Sequence, residues 1–561
     1  MKTQHMRSHS VWLAIAAAMV GLSLTPIIVV ASSAGASGGG ISPHAQTAAQ
    51  GVLTIQGNTN NVLNLNPFAG GDLGVDLVYN SLELLNPVNA SLSPELATSF
   101  TATNATTLVY TIRSGVEWSN GKAFTPADVV GTFKLLKKFP ALDSGGVWSV
   151  LTSVSAARNK VTFRLKTPDV PLRQAISGVP IVPSAIWSHV SNPATFTNTH
   201  PVGTGPYKLK SYAPTKMVFV RVPRSFEANS VRPENVAFVA GPSTGAASQL
   251  LIASGAYDFA YDNFPNVKTA FVGQDPKHNV YWFPPGGVIS LFMNLTTAPF
   301  NNANFRRGVS YAINRSAVEN AALFGLEGVA PQTGAMLPGQ AAWTDPTIPN
   351  KGLITQNTTL ALSYFAKAGY TQQNGKLVDS AGTQVGFNIN CPLGWTDWNG
   401  AATEIASELN ALGTNVTTNF TDYTGWANGN ANGTYAANID GFGGSGSAYS
   451  TYNPQLNSAY DVPLNTPASS NIEHFSSPVV DHYLAGLAAA RTTAAAAPWI
   501  HALTDVMYNQ VPVINLYYGG MWGLFSTRHW VGWPSAKHPY TTPATWNYDL
   551  LAIAMHVKPV K

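Results

Sequence analysis

The sequence predicts an α/β fold. Short alternating apolar segments that read as strands recur along the whole chain, segments with helical apolar spacing fall between them, and no repeat of about 20–50 residues divides it. The chain has 561 residues, 45% of them hydrophobic, so there is material for a core, and at ~150 residues per domain three or four domain-sized units are expected. Only 10% are charged, where an ordinary soluble domain carries roughly 25%. The 31 basic and 27 acidic residues leave a formal charge of +4, too small and too scattered for nucleic-acid binding.

Lys2 and Arg7 precede an apolar run over residues 11–30, and Ala34-Gly35-Ala36 forms an A-x-A pattern. Residues 1–36 therefore read as a cleaved export signal, with a retained single-span anchor as the alternative, and 37–50 as a flexible linker. The export is to a periplasm or to the outer face of the cytoplasmic membrane. The single cysteine, Cys391, excludes an internal disulfide, and no cysteine follows the signal as a membrane lipoprotein would require.

Beyond the signal, Leu53-Thr-Ile-Gln alternates as a strand, residues 57–71 form an Asn/Gly-rich loop, and a helix follows. Residues 108–112 and 116–118 read as a hairpin around Ser114-Gly115. Thr125-Pro126-Ala127-Asp128 places a capping hydroxyl, an N1 proline and an N3 carboxylate before a helix over 129–138. Residues 161–165 alternate again, and Pro201-Val-Gly-Thr-Gly-Pro206 breaks the chain near 204. Strands at 207–209, 217–222 and 236–239 lead to a helix over 246–253 that stops at Gly255. Helical spacing runs through 304–322 and 401–412, then through 479–490 and 499–509, and a strand begins at Val511.

Two motifs carry candidate chemistry. Gly241-Pro242-Ser243-Thr244-Gly245 matches the nucleophile-elbow pattern between a strand and a helix, which raises a secreted serine hydrolase using Ser243 as an alternative; helix capping explains the same residues. Gly441-Phe-Gly-Gly-Ser-Gly446 satisfies G-x-G-x-x-G, but residues 447–454 read as loop, so the glycines are expected to let a ligand approach the backbone. No metal-ligand spacing appears, and neither metal nor cofactor is expected.

Thirteen of the fourteen tryptophans lie beyond the signal, several among Gly, Asn and Thr: Trp395 and Trp398, Trp426, Trp522, Trp530 and Trp533. Aromatic rings beside side-chain amides and hydroxyls suit stacking on a sugar face or a peptide group. For each tryptophan alone, core filling is the plainer reading.

The order of segments resembles the dipeptide and oligopeptide class of extracellular solute-binding proteins, the receptors of ABC importers. The resemblance is carried by Val116-Glu-Trp-Ser-Asn-Gly-Lys-Ala-Phe-Thr-Pro-Ala-Asp-Val129, by Pro201-Val-Gly-Thr-Gly-Pro-Tyr207, and by Phe292-Met-Asn294 with Pro299-Phe-Asn-Asn-Ala-Asn-Phe-Arg-Arg307 and Ser310-Tyr-Ala-Ile-Asn-Arg315. It implies a two-lobed periplasmic-binding-protein-like fold of class II type with an extra small domain, three domains in all. Lobe one would combine residues 51–88, 205–288 and 516–561, the small domain 89–204, and lobe two 289–515. Such a receptor is a monomer without catalytic residues that encloses its ligand by lobe closure and delivers it to the membrane permease.

The family's pocket, carried over by position, comprises Gly71, Trp148, Phe292, Tyr423, Trp426, Gly443, Gly444, Ser445, Tyr518 and Trp522; Trp395 and Trp398 join them on composition. Where peptide-binding members carry Trp and, three residues on, an Asp for the peptide ammonium, this chain has Phe442 and Ser445. Residues 127–143, 281–288, 531–534 and 537–540 further resemble the cellobiose-binding branch. The expectation is a short neutral oligosaccharide, with an oligopeptide as the alternative.

Overall fold

Leu53 and Ile55 are fully buried along the strand Val52–Gln56, which pairs parallel with Asn235–Val239 and starts the first of three main sheets. The computed structural model describes residues 51–58, 60–68, 73–143, 145–242, 246–264, 266–444, 446–468, 470–545 and 549–560. The expected signal and linker, Gly71, Ser243 and Ser445 lie outside them. The architecture is mixed α/β, as the alternation of segments predicts.

The first sheet has seven strands, in spatial order Asn279–Trp282, Gly523–Ser526, Phe259–Tyr261, Val52–Gln56, Asn235–Val239, Lys216–Arg221 and Tyr207–Ala213. The second has four antiparallel strands, Ala97–Asn104, Thr107–Ile112, Lys160–Leu165 and Leu151–Ala157. The third has five: Asn415–Thr421, Gly386–Pro392, Ala437–Phe442, Pro285–Met293 and Val513–Gly520. One core cluster joins the first two sheets, and two others pack around the third.

Two chain passages link the first sheet to the third. Asn279–Trp282 continues through Phe283-Pro284 into Pro285–Met293, and Val513–Gly520 continues through Met521-Trp522 into Gly523–Ser526. The passages run side by side: Trp282 pairs with Gly523, Pro285 pairs with Gly520, and the Met521 N–H donates to the Pro284 carbonyl at 2.9 Å. Elsewhere the four-stranded sheet and its connections reach the helical segment beside the third sheet. Val170 N–H donates to Ala488 O at 2.9 Å, and Arg491 Nη2 donates to Ala102 O at 3.1 Å.

Local signals explain several elements. The helix Pro126–Lys138 starts as its capping box demands, with the Asp128 carboxylate accepting from the Thr125 N–H at 2.9 Å and from the Ser184 N–H at 3.1 Å. The helix after the Asn/Gly loop is a single turn, Val75–Val78. The expected hairpin around Ser114-Gly115 does not form. Thr107–Ile112 pairs with its neighbours at 97–104 and 160–165, and Glu117 only bridges to Ala123. The single helix expected over 304–322 is two, Ala303–Ala312 and Arg315–Leu323, because the Asn314 side chain accepts from Ala317 N and caps the second one. Residues 447–454, read as loop, belong to a helix, Ala448–Leu456, capped by Ser447.

Two buried arginines are satisfied by carbonyls and not by carboxylates. Arg306, 5% exposed, donates to the carbonyls of Val511 at 2.8 Å, Phe300 at 2.7 Å and Gln510 at 2.6 Å. Arg315, 3% exposed, donates to Asn515 O at 2.6 Å and Ser310 O at 2.9 Å. Several buried acids are shifted toward the protonated form. Burial pushes the carboxyls of Asp76 and Glu95 up to about 7, and those of Glu227 and Asp549 up to about 8.

Arg315→Met should lower the unfolding free energy by about 2–4 kcal/mol, because buried carbonyls lose their donors, read as a shift of the urea midpoint. The pH dependence follows from the raised carboxyls. Between the ordinary carboxylate range and about 8, the folded chain holds protons that the unfolded chain has released, so stability falls as pH rises through that window. The melting temperature is expected to be highest at mildly acidic pH and to drop toward pH 8; a rise over that interval would contradict the assignment.

Candidate functional site

The five-stranded sheet brings most of the expected site residues to one edge. Gly386–Pro392, Asn415–Thr421 and Ala437–Phe442 run parallel, and Pro285–Met293 runs antiparallel to Ala437–Phe442 and to Val513–Gly520. Four strands therefore end, and one begins, at the same edge. Both passages to the seven-stranded sheet leave from it, so this edge faces the other lobe. In open α/β sheets ligands bind outside the carboxyl ends of the strands.

Immediately beyond those ends stand Trp395, Tyr423, Gly443, Gly444 and Trp522. Trp395 precedes the helix Thr396–Asn410, and Tyr423 opens the helix Tyr423–Asn432, whose first turn is capped by Asp422 accepting from Gly425 N at 3.0 Å. The two helix starts place four aromatic rings together. Trp395 lies 4.7 Å from Trp398, 5.8 Å from Tyr423 and 6.1 Å from Trp426, centroid to centroid, with Trp395 and Tyr423 stacked at 25°. Trp426 closes the group at 5.6 Å from both Trp398 and Tyr423. Cys391 ends its strand beneath them, its thiol donating to the Trp398 carbonyl and pushed up to about 12 by burial.

Exposure divides the cluster. Trp395 and Tyr423 are half-buried and present ring surface, whereas Trp398 and Trp426 are buried and support them. The expectation that Trp398 and Trp426 meet ligand directly is corrected accordingly. Trp522 is half-buried and packs edge-on against Phe283 at 5.0 Å. Phe292 is also corrected: it pairs with Asn438 and Val513 well inside the sheet, is 1% exposed, and fills the core against Phe442. Tyr518 is likewise buried, its hydroxyl accepting from Leu337 N at 2.8 Å and donating to Ala335 O at 3.1 Å. Trp148 stays with the four-stranded sheet, where its Nε1 donates to Phe133 O at 2.7 Å and Lys137 lies over its ring.

The glycines after Ala437–Phe442 answer a packing demand. Gly444 has φ 87°, and a Cβ there would lie 1.9 Å from the Gly286 carbonyl of the crossing strand. Gly446, at φ 70°, brings the same loop against Ala90 and Pro87 of the opposite side, 2.7 and 3.0 Å from where its Cβ would stand. The helix that follows does not make a dinucleotide site of this loop, because the next strand of the sheet, Val513–Gly520, is reached only after two further long helices.

Two carboxyls at this edge escape sequence reasoning. Asp440 is half-buried two residues before Phe442, accepts from Gly441 N at 2.7 Å and from Asn430 Nδ2 at 3.1 Å, and is pushed up to about 7 by burial. Glu327 lies by Gly520 and the Trp522 ring and is pushed up to about 8, by burial first and then by Glu319. The only sequence signal for Asp440 is an acid inside a strand-like run, Ala-Asn-Ile-Asp-Gly-Phe.

The family profile of the bacterial extracellular solute-binding proteins, family 5 middle, matches residues 91–510. The chain belongs to this family. It is 27% identical over 349 residues to the peptidoglycan-binding protein YepA of Agrobacterium fabrum, covering 50% of this chain and 54% of that protein. It is 27% identical over 335 residues to the probable ABC transporter periplasmic-binding protein SapA of Escherichia coli, covering 54% and 59%. The aligned part thus spans little more than half the length of these curated relatives. A periplasmic oligopeptide-binding protein of Thermotoga maritima, solved with mannohexaose bound, shares the fold with a TM-score of 0.78 at 24% identity, covering 91% of this chain and 99% of the other. The likeness confirms a periplasmic-binding-protein-like fold for the family 5 chain.

Trp395→Ala should weaken ligand binding by ~1–3 kcal/mol while leaving the melting temperature of the free protein nearly unchanged, since its ring is half-buried. Trp426→Ala should lower both. Equal effects of the two substitutions on free-protein stability, measured by thermal unfolding, would contradict the division into presenting and supporting rings.

Proposed function

We propose that this protein is the extracytoplasmic substrate-binding receptor of an ABC importer and encloses a short neutral oligosaccharide between its lobes. The observation that carries the reading is the four-ring cluster at the edge facing the other lobe. Its half-buried rings, Trp395 and Tyr423, suit stacking on a sugar face, and the carboxyls of Asp440 beside Tyr423 and of Glu327 by Trp522, at the far side of the same edge, stay protonated at mildly acidic pH, where they donate hydrogen bonds to hydroxyls. The mannohexaose held by the Thermotoga protein supports the same class.

The proposed division is lobe one at 51–88, 205–288 and 516–561, a small domain at 89–204 and lobe two at 289–515. The membership of the three sheets supports three such parts but shifts the boundaries between the lobes to the passages at 283–284 and 521–522, because 285–288 and 516–520 belong to strands of the five-stranded sheet. Closure stores no signal unless ligand favours the closed form over the open one, so the ligand must touch both lobes. The receptor acts as a monomer, needs no cofactor, turns nothing over, and hands its cargo to the permease subunits. Residues 1–36 direct its export, and the protein is not a lipoprotein. Family membership speaks against the hydrolase alternative on Ser243.

A peptide is the second reading, favoured by Asp440: its carboxylate, once ionised, offers a counter-charge to an ammonium beside the rings. A thermal-shift screen at pH 5, and again at pH 8 where Asp440 is ionised, against manno-, cello- and xylo-oligosaccharides and di- to pentapeptides separates the two. A ligand at about 100 times its Kd stabilises the native state by ~2.7 kcal/mol. An oligosaccharide is expected to raise the melting temperature with no hydrolysis product. A shift by peptides alone, abolished in Asp440→Asn, would replace the sugar by the peptide.

A further inference from the structure

A parallel sheet covered on both faces has strands that read as nearly continuous apolar runs. The two outermost parallel strands of the five-stranded sheet do not. Phe387, Ile389, Cys391 and Val416 pack with Trp398, Ala401 and Ile405 of the helix Thr396–Asn410 on one face. The opposite face carries asparagine and threonine.

Those side chains form rungs. Asn388 is the Cα partner of Thr417, and Asn390 of Asn419. The Thr417 hydroxyl donates to Asn388 Oδ1, and Asn419 Nδ2 donates to Asn390 Oδ1 at 3.1 Å. Each rung uses one amide oxygen, and the Nδ2 groups of Asn388 and Asn390 have no protein acceptor among the described residues. Asn388, Thr417 and Asn419 are exposed. On the third strand Asn438, the Cα partner of Asn390, is fully buried; its Nδ2 donates to Asn430 Oδ1 at 2.6 Å while its Oδ1 meets no partner. A groove of about 480 Å³ opens beside the first rung between Thr297, Pro299, Phe300, Asn415 and Thr417, and none of its lining residues is charged.

We propose that this ladder is a second binding site, for a neutral polyhydroxylated chain, that is, a saccharide. Amides and hydroxyls set side by side both donate and accept, as ligand hydroxyls do, and strands spaced ~4.8 Å apart repeat the pattern in two directions. A charged ligand would lose its hydration in the groove without a counter-charge. The first rung stands four residues before the strand ends, roughly 13 Å from the crevice edge, so both sites can be filled at once. The site does not depend on what the crevice holds.

Native gels cast with dextran, mannan or arabinoxylan test it, with polygalacturonate as the charged control. The protein is expected to be retarded by at least one neutral polysaccharide and not by polygalacturonate. Asn388→Ala combined with Thr417→Val should weaken that retardation at least tenfold, with Thr417→Val alone deciding if the double variant does not fold. Trp395→Ala should leave it in place. Retardation by none of the neutral polymers, retention in the ladder variant, or loss in Trp395→Ala would each overturn the proposal.

Discussion

The single hydrogen bond from the Met521 N–H to the Pro284 carbonyl marks the place on which the rest of the architecture depends. On either side of it the same two chain segments are paired, as Trp282 with Gly523 in one sheet and Pro285 with Gly520 in the other. Both lobes therefore hang on one ribbon of two passages. A ribbon of this kind resists sliding, because pairing fixes its register on both sides, and it yields to bending at the short unpaired stretch. It also decides where function can reside, since the sheet edge from which it leaves is the edge turned toward the other lobe.

That constraint separates what was legible in the sequence from what was not. Trp395 entered on composition and Tyr423 on the family's pocket; the strands they follow, Gly386–Pro392 and Asn415–Thr421, were not read from the sequence. Their neighbours Trp398 and Trp426 have equally polar, glycine-rich surroundings in the sequence and are nevertheless buried, because exposure was decided by how two helices from different strands meet. Phe292 and Tyr518 were carried over from the family's pocket by position, and in this chain they lie inside the five-stranded sheet and are buried there. Pairing partners explain the missed hairpin too, since residues 107–112 found better-matched neighbours at 97–104 and 160–165. The break at Asn314 and the helix after Ser447 were written locally, in capping side chains that a continuous apolar spacing, or a run of small polar residues, concealed.

The scarcity of charge has a counterpart in the interior. Arg306 and Arg315 are neutralised by carbonyl dipoles and not by carboxylates, and buried acids such as Asp76 and Asp549 are shifted toward the uncharged form by the cost of desolvation. Few residues are left whose fold-level role is to form a salt bridge. Arg173 with Glu83 and Arg528 with Asp275 are among those that do. A chain of this kind is organised by neutral hydrogen bonds and ring packing, the same chemistry that its crevice presents to a ligand.

The bridges from the four-stranded sheet and its connections to the helical segment beside the five-stranded sheet follow suit. Val170 to Ala488 is a main-chain bond between neutral groups, and Arg491 reaches a carbonyl of Ala102 and not an acid. Contacts without paired formal charges are scarcely screened by dissolved salt. These two bridges are consequently expected to hold as well in saline as in dilute surroundings.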